Sequence, residues 1–202
     1  MAVNRASSRP IITPTFHHTT FLTTRLDAMV EWYGLVVGLT PTFYGAEAAW
    51  LTNDAANHRI AFLAPPGIKT PEDKGHTAGL HHTAFEYGDF DQWLDNYIRL
   101  RGKGILPFLT LDHGMTLSIY YQDPDGNGVE IQVDTFGDWA KSTEWMWTSL
   151  EFAENPIGAH FDPDKMVVAR ESGLTFQEIH QRARAGEYVP AAIPDIFLPE
   201  VY

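Results

Sequence analysis

The sequence predicts an α+β fold in which two βαβββ modules pack together and an aromatic-rich C-terminal extension follows. Three observations predict it. The first is an internal repeat: His82 minus His18, Phe85 minus Phe21, Asp91 minus Asp27, Tyr97 minus Tyr33 and Gly102 minus Gly38 all equal 64. The second is that each copy passes from an alternating run into an amphipathic helical run and then into further short strand-like runs. The third is size: 202 residues, 44% apolar and 13% aromatic, bury a real core, whereas one module alone has too little apolar surface to stand by itself.

The elements follow in order. FHHTTFL opens the first copy as a strand, LDAMVEWYGLV continues it as a helix closed by glycine, and TPTFYG, AAWLT and HRIAFLAP supply three strands. Gly45, Asn53-Asp54 and Pro65-Pro66 break these runs. In the second copy LHHTAFEY is the first strand and FDQWLDNYIRLRG the helix. ILPFLTLD, MTLSIYYQ and GVEIQV are its later strands, with the turn Asp123-Pro124-Asp125-Gly126-Asn127-Gly128 between the last two. The paired modules are expected over 1–134, the first about 14–70 and the second about 78–134.

Residues 135–202 are expected to form an extension packing on the same domain. Its segment FGDWAKSTEWMWTSLEFAENPIGAHFDPDKM is rich in Trp, Phe and Pro, and Thr175 with Glu178 makes a capping-box start for a short helix ending near Gly186. The extension reads as a lid, brace or subunit contact, the plainer alternative being a frayed terminus.

Composition narrows the partners. With 14 Lys and Arg against 26 Asp and Glu, a net charge of -12 argues against a nucleic-acid partner. The absence of cysteine excludes disulfides, thiolate nucleophiles and sulfur-ligated metals, so a metal here needs nitrogen and oxygen donors. The opening MAVNRASSRPIITPT lacks the pattern of a signal peptide and no apolar run suits a membrane span, so the cytoplasm is the expected compartment, with no membrane partner.

Each copy sets two histidines before a strand, and alternation sends one ring to each face. His17 goes with Thr19 and Phe21, and His81 with Thr83 and Phe85, under the helix. His18 then lies with Thr20 and Leu22, and His82 with Ala84 and Glu86, on the concave side, where the repeat is expected to bring the two histidines together. A single histidine is more often structural than a ligand, but a pair related by a repeat reverses that preference.

HHTTFLTTRLDAMVEWY, LHHTAFEYGDFDQWLDNY and YYQDPDGNGVEIQVD resemble the vicinal-oxygen-chelate superfamily, over residues 14 to 134. The resemblance implies a metal-centred cup with ligands at His18, His82 and Glu130. Taken alone DPDG is a common turn and Glu130 an exposed strand residue; in register with the two histidines Glu130 becomes a ligand candidate.

Two imidazoles and one carboxylate with open positions form the facial set of non-haem Fe(II) oxygenases, and Mn(II) accepts the same donors. Glyoxalase-type isomerases of the superfamily use a fourth ligand, a carboxylate in the strand that here reads NHRIAFLAP, where Ile60, Ala61 and Phe62 stand. Extradiol dioxygenases of the superfamily carry further residues at places matched by His58, His113 and Tyr120, the last ten residues before Glu130. Each has a structural alternative: a turn residue, a loop residue and a core aromatic.

EFAENPIGAHFDPDKM resembles the extension of one-domain extradiol dioxygenases, including forms acting on biphenyl-2,3-diol. The resemblance therefore implies an Fe(II) enzyme, a homo-oligomer, that takes an aromatic diol and O2 and opens the ring beside the diol. His113 would be acid and base, Tyr120 a hydrogen-bond partner of the substrate, and His58 a stabiliser of bound oxygen or a proton acceptor. Phe108, Trp50 and aromatics of the extension would wall the pocket, while His76 and His160 are left unassigned. The alternatives are another metal enzyme on this scaffold, such as a hydroquinone dioxygenase, an isomerase or a thiol transferase, and a metal-free protein that sequesters a flat aromatic compound.

Overall fold

The computed structural model of the protein describes residues 12–70, 72, 74 and 77–194. The first module comprises β1 (Thr19–Leu22), α1 (Leu26–Val37), β2 (Thr40–Tyr44), β3 (Ala48–Thr52) and β4 (Ile60–Leu63). The second comprises β5 (His82–Tyr87), α2 (Phe90–Arg101), β6 (Leu109–Asp112), β7 (Thr116–Gln122) and β8 (Gly128–Asp134). Each makes a four-stranded mixed sheet, in the orders β1-β4-β3-β2 and β5-β8-β7-β6. The outer pair β1/β4 is parallel, as is β5/β8, and the remaining neighbours are antiparallel. The fold is α+β and duplicated.

The helices form where the spacing demands. In α2 the buried Phe90, Trp93, Leu94, Tyr97 and Leu100 make one apolar stripe, and the Asp89 side chain caps its start by accepting from the Gln92 N–H at 2.8 Å. Arg99 and Arg101 occupy the last turn, where cations suit the helix dipole. In α1 the stripe is Leu26, Met29, Tyr33 and Val36, and Gly38 ends it at φ 70°, a left-handed cap that glycine adopts without strain. Phe21, Ile60 and Phe62 pack under α1, while Ile131, Val133 and Leu117 pack under α2. Each such burial contributes about 1.5–3 kcal/mol.

The modules share their cores. Val36 of α1 belongs to the apolar cluster of the second module, and Val129 of β8 to that of the first. Tyr33 Oη donates to Asp123 Oδ2 at 3.2 Å, and Arg25 Nη1 donates to the Pro124 carbonyl at 2.8 Å. The Asp123–Gly128 turn thereby docks on α1. Asp123 Oδ1 also accepts from the N–H groups of Asp125 and Asn127 at 3.0 and 2.8 Å, which fixes the turn from within.

The extension forms α3 (Trp139–Thr148), α4 (Leu150–Glu154), α5 (Pro163–Glu171) and α6 (Phe176–Arg184). The capping box at Thr175 and Glu178 is present, and it starts α6. Phe161, Met166, Val167 and Ile179 join the cluster built on Trp93, so α5 and α6 brace α2 from outside. The helix α3 crosses the opposite, free face of the second sheet, where Ser142 Oγ donates to Asp134 Oδ2. Among the described residues no helix is long and apolar enough to cross a membrane.

Candidate active site

Strand alternation sends Val129, Ile131 and Val133 of β8 into the core and leaves Glu130, Gln132 and Asp134 on the free face. The β7 register places Tyr120 opposite Glu130, and the β5 register places Ala84 opposite Glu130 with His82 two residues earlier. A cavity of about 560 Å³ opens over this face, lined by His82, His113, Tyr120, Glu130 and Gln132, with Trp139 of α3 at its rim.

Within it His82 Nε2 lies 2.9 Å from Glu130 Oε2, and Tyr120 Oη donates to Glu130 Oε1 at 3.0 Å. The carboxylate is buried at 5% exposure. Burial raises the Glu130 pKa, but hydrogen bonds from His82, Ser118 and Tyr120 and the His82 charge outweigh it, so the group ionises below the usual carboxylate range. Tyr120 is pushed the other way, by burial first and then by the Glu130 charge, and stays a neutral phenol.

His113 Nε2 is 2.9 Å from the same Tyr120 oxygen. Burial lowers the His113 pKa, against the pull of Glu130, of the backbone at Ile157 and Pro156, and of Asp112. A neutral His113 that gives its Nδ1 proton to that backbone keeps Nε2 as an acceptor. The single Tyr120 proton then serves either Glu130 or His113, and Tyr120 can pass hydrogen-bonding demand between them. His81 Nδ1 sits 2.7 Å from His82 Nδ1, which orients the His82 ring with Nε2 toward the carboxylate.

His18 and His58 do not line this cavity. Among the described residues the one set of three whose donor atoms fall within 4.8 Å of one another is His17, His18 and His58, at the start of the first sheet; His18, His82 and Glu130 do not form such a set. The physical reason is local: β1 and β5 belong to different sheets, and the His18 ring is turned toward its neighbours, with Nδ1 3.0 Å from His17 Nδ1 and its ring centroid 4.3 Å from that of His58.

The pocket walls also differ from the expectation. Trp50 packs against Phe43 in the first sheet, with centroids 4.2 Å apart and the rings tilted by 57°, and does not line this cavity, because its register pairs it with Phe43 at the far edge. Phe108 does pack on Tyr120, with centroids 6.3 Å apart. Trp147 of the extension points to solvent. His76 lies outside the described residues, and His160 follows Ala159, whose backbone bridges to Asp112.

Sequence reasoning missed Glu86 as a latch: its Oε1 accepts from Trp139 Nε1 at 2.8 Å and its Oε2 from Gln132 Nε2 at 2.9 Å, tying α3 to the sheet. Alternation from His82 to Glu86 was the available signal. It also missed Asp112, buried at 4% and contacted by His180 and Arg184 of α6, which anchors the turn bearing His113. A pairing 68 residues apart leaves no signature in spacing.

The first module repeats the second with one decisive change. Thr20 pairs Ala61 as Ala84 pairs Glu130, and 84 minus 20 is the repeat offset of 64. Ala61 therefore occupies the place of Glu130, so the first module offers no carboxylate there. Nitrogen and oxygen donors at His82 and Glu130 fit a divalent first-row metal, and the asymmetry leaves the carboxylate to one module alone.

A duplicated βαβββ scaffold with a histidine–carboxylate pair in the second module's cup defines a class of small metal-dependent enzymes and aromatic-binding proteins. The chain belongs to the Glyoxalase/Bleomycin resistance protein/Dioxygenase superfamily, whose model matches residues 15–131. It is 38% identical over 174 residues to biphenyl-2,3-diol 1,2-dioxygenase 3 of Rhodococcus globerulus, covering 86% of this chain and 91% of the relative. It is also 38% identical over 178 residues to biphenyl-2,3-diol 1,2-dioxygenase 2 of the same organism, covering 88% and 93%. Among solved structures, a lactoylglutathione lyase from Agrobacterium tumefaciens superposes with a TM-score of 0.48 at 19% identity, over 60% of this chain and 94% of that one.

Proposed function

We propose that the protein is an extradiol dioxygenase. It would take a catechol-type diol and O2, break the ring C–C bond beside the diol and leave both oxygen atoms in the ring-opened product. The observation that carries this reading is the replacement of the fourth ligand position by Ala61, in register with Glu130, which disfavours a four-ligand isomerase. The relatives named as biphenyl-2,3-diol dioxygenases across most of the chain support it.

On this reading Fe(II), with Mn(II) acceptable to the same donors, is held by His82, Glu130 and His18, the last after its ring turns from His58. Bound there, the metal would supply a Lewis-acidic, redox-active centre for the diol and dioxygen. The residues of the chain do the rest. Glu130 is already ionised and oriented by Tyr120. His113, buried and biased toward its neutral form, takes the proton of the diol and returns it to the product. Tyr120, a neutral phenol, donates to whichever oxygen carries more charge. His58 would stabilise the bound oxygen or accept a proton.

The latch between Trp139 and Glu86 ties α3 to the rim of the cavity. The reading takes the protein to act in the cytoplasm, as a homo-oligomer, on a small-molecule diol. A net charge of -12 speaks against a nucleic-acid partner. The test is oxygen uptake by anaerobically purified, iron-reconstituted protein over a panel of catechols, with visible absorbance followed for a yellow ring-opened product. Uptake with product, lost at least about 100-fold in His82→Ala, is the expected result. Iron-loaded protein that consumes no oxygen with any catechol would overturn it.

A further inference from the structure

We propose that His17, His18 and His58 form a second transition-metal site, suited to a borderline-soft cation such as Zn2+, whose occupation withdraws His18 from the catalytic ligand set. The site itself stands on geometry alone. Its inhibitory consequence rests on the reading of His18 as a catalytic ligand.

The backbone builds this cluster. The parallel register Thr19↔Ile60, extended one step back by the Thr19 N–H donating to the Arg59 carbonyl at 3.0 Å, brings the segment before β1 beside the segment before β4. His17 and His18 therefore meet His58 as a matter of strand pairing. Donor atoms of all three lie within 4.8 Å of one another, and the two adjacent rings approach at 3.0 Å between Nδ1 atoms. Ligand nitrogens on a tetrahedral zinc at a bond length of about 2.0–2.1 Å are separated by about 3.3 Å. Small ring rotations suffice to close the set.

The surroundings fix the backbone that carries the three rings. Arg59 Nη1 donates to the His17 carbonyl at 2.9 Å, while its Nη2 pairs with Asp54 Oδ2 at 2.8 Å. The Asp54 loop is pinned in turn: the Ala56 N–H donates to Asp54 Oδ1 at 2.9 Å, and Thr42 Oγ1 donates to the Asn57 carbonyl at 2.7 Å. The Asp54 carboxylate offsets the Arg59 charge, so the arginine does not repel an incoming metal. A backbone fixed in this way spares an incoming metal the cost of gathering the three side chains.

The donor chemistry selects the ion. Three imidazoles and no carboxylate disfavour Mg2+ and Ca2+, which want oxygen, and suit Zn2+, Cu2+ or Ni2+ with water in the remaining position. His17 and His18 are exposed and His58 half-buried, so the site is open to such an ion. The second module cannot repeat it. In the register that sets Ala61 in the place of Glu130, Asn127 stands where the first module has His58, and the His82 ring turns to Glu130 instead. The repeat has thus diverged into one all-histidine cluster and one histidine–carboxylate pair, with His18 the residue both sites would claim.

The experiment uses the metal-free full chain and Zn2+ alone. Calorimetric titration is run on the parent, His17→Ala and Glu130→Gln, with imidazole 1H–15N spectra recorded at each endpoint. The expected result is that His17→Ala weakens Zn2+ binding by at least about tenfold, that Glu130→Gln changes it little, and that the rings of His17, His18 and His58 shift on binding. Zn2+ binding that survives His17→Ala, falls with Glu130→Gln and shifts His82 would overturn the proposal. In the iron-loaded protein, Zn2+ should suppress oxygen uptake by the parent and spare His17→Ala, whose thermal midpoint should match the parent. If the parent consumes no oxygen with any catechol, the dioxygenase reading fails while the binding and ring-shift results still decide the zinc site.

Discussion

Tyr120 is the residue on which the proposed chemistry turns, because one phenolic proton stands between two claimants: Glu130 Oε1 at 3.0 Å and His113 Nε2 at 2.9 Å. Glu130 keeps its ionised form inside a buried site only while its oxygens find donors. Removing the phenol hydroxyl leaves one of them short, at a cost of about 1–3 kcal/mol. Tyr120→Phe is therefore expected to lower the thermal midpoint and to cut turnover by about 10–100-fold. Steady-state oxygen uptake beside differential scanning calorimetry checks this, and an unchanged turnover number would remove Tyr120 from the machinery. The sequence carried Tyr120 and Glu130 as a spacing of ten, and the antiparallel β7/β8 register converts that spacing into direct opposition.

Among the elements, the β6–β7 turn that carries His113 depends on a strand-like contact with the extension. Asp112 and Ala159 exchange backbone hydrogen bonds at 2.8 and 3.0 Å. Gly158 makes the approach possible: its φ is 89°, and a Cβ there would press into the Asp112 carbonyl well inside van der Waals contact. Gly158→Ala combines a left-handed backbone with that clash, so a loss of more than about 1 kcal/mol is expected. A urea melt monitored by circular dichroism measures it, and a parent-like midpoint would show that the turn tolerates displacement. Helices α1 and α2 were legible from their apolar stripes, and α6 from its capping box. The helices α3, α4 and α5 were not, because their burial is set by the surfaces they cover: α3 lies over a polar sheet face and buries Ser142 alone.

At the scale of the molecule, the extension completes the core as well as the cavity. Phe161, Met166, Val167 and Ile179 pack against Trp93 and its neighbours, and at about 1.5–3 kcal/mol each their removal approaches the whole stability of a domain, about 5–15 kcal/mol. A chain ending at Asp134 is accordingly expected to lose cooperative unfolding. Calorimetry on the purified fragment tests this, and a single transition near the parent midpoint would mean that the paired modules fold without their brace. The cavity would open further in the same fragment, since its α3 wall and the Trp139 half of the latch to Glu86 both come from beyond β8.

The sequence by itself determined the duplication, the strand and helix order within each module, the caps, and the residue types available to a metal, because these follow from local periodicity and from composition. Only the tertiary structure decided which of those residues meet. Strand register set Ala61 in the place of Glu130, and no count along NHRIAFLAP could fix that, since the segment between the paired strands differs in length between the copies: 61 minus 20 is 41, whereas 130 minus 84 is 46. Pairing between strands likewise gathered His17, His18 and His58 into one cluster and gave His82 to Glu130. Contacts between residues far apart in the chain are chosen by how sheets pack, and a one-dimensional spacing records only their consequence.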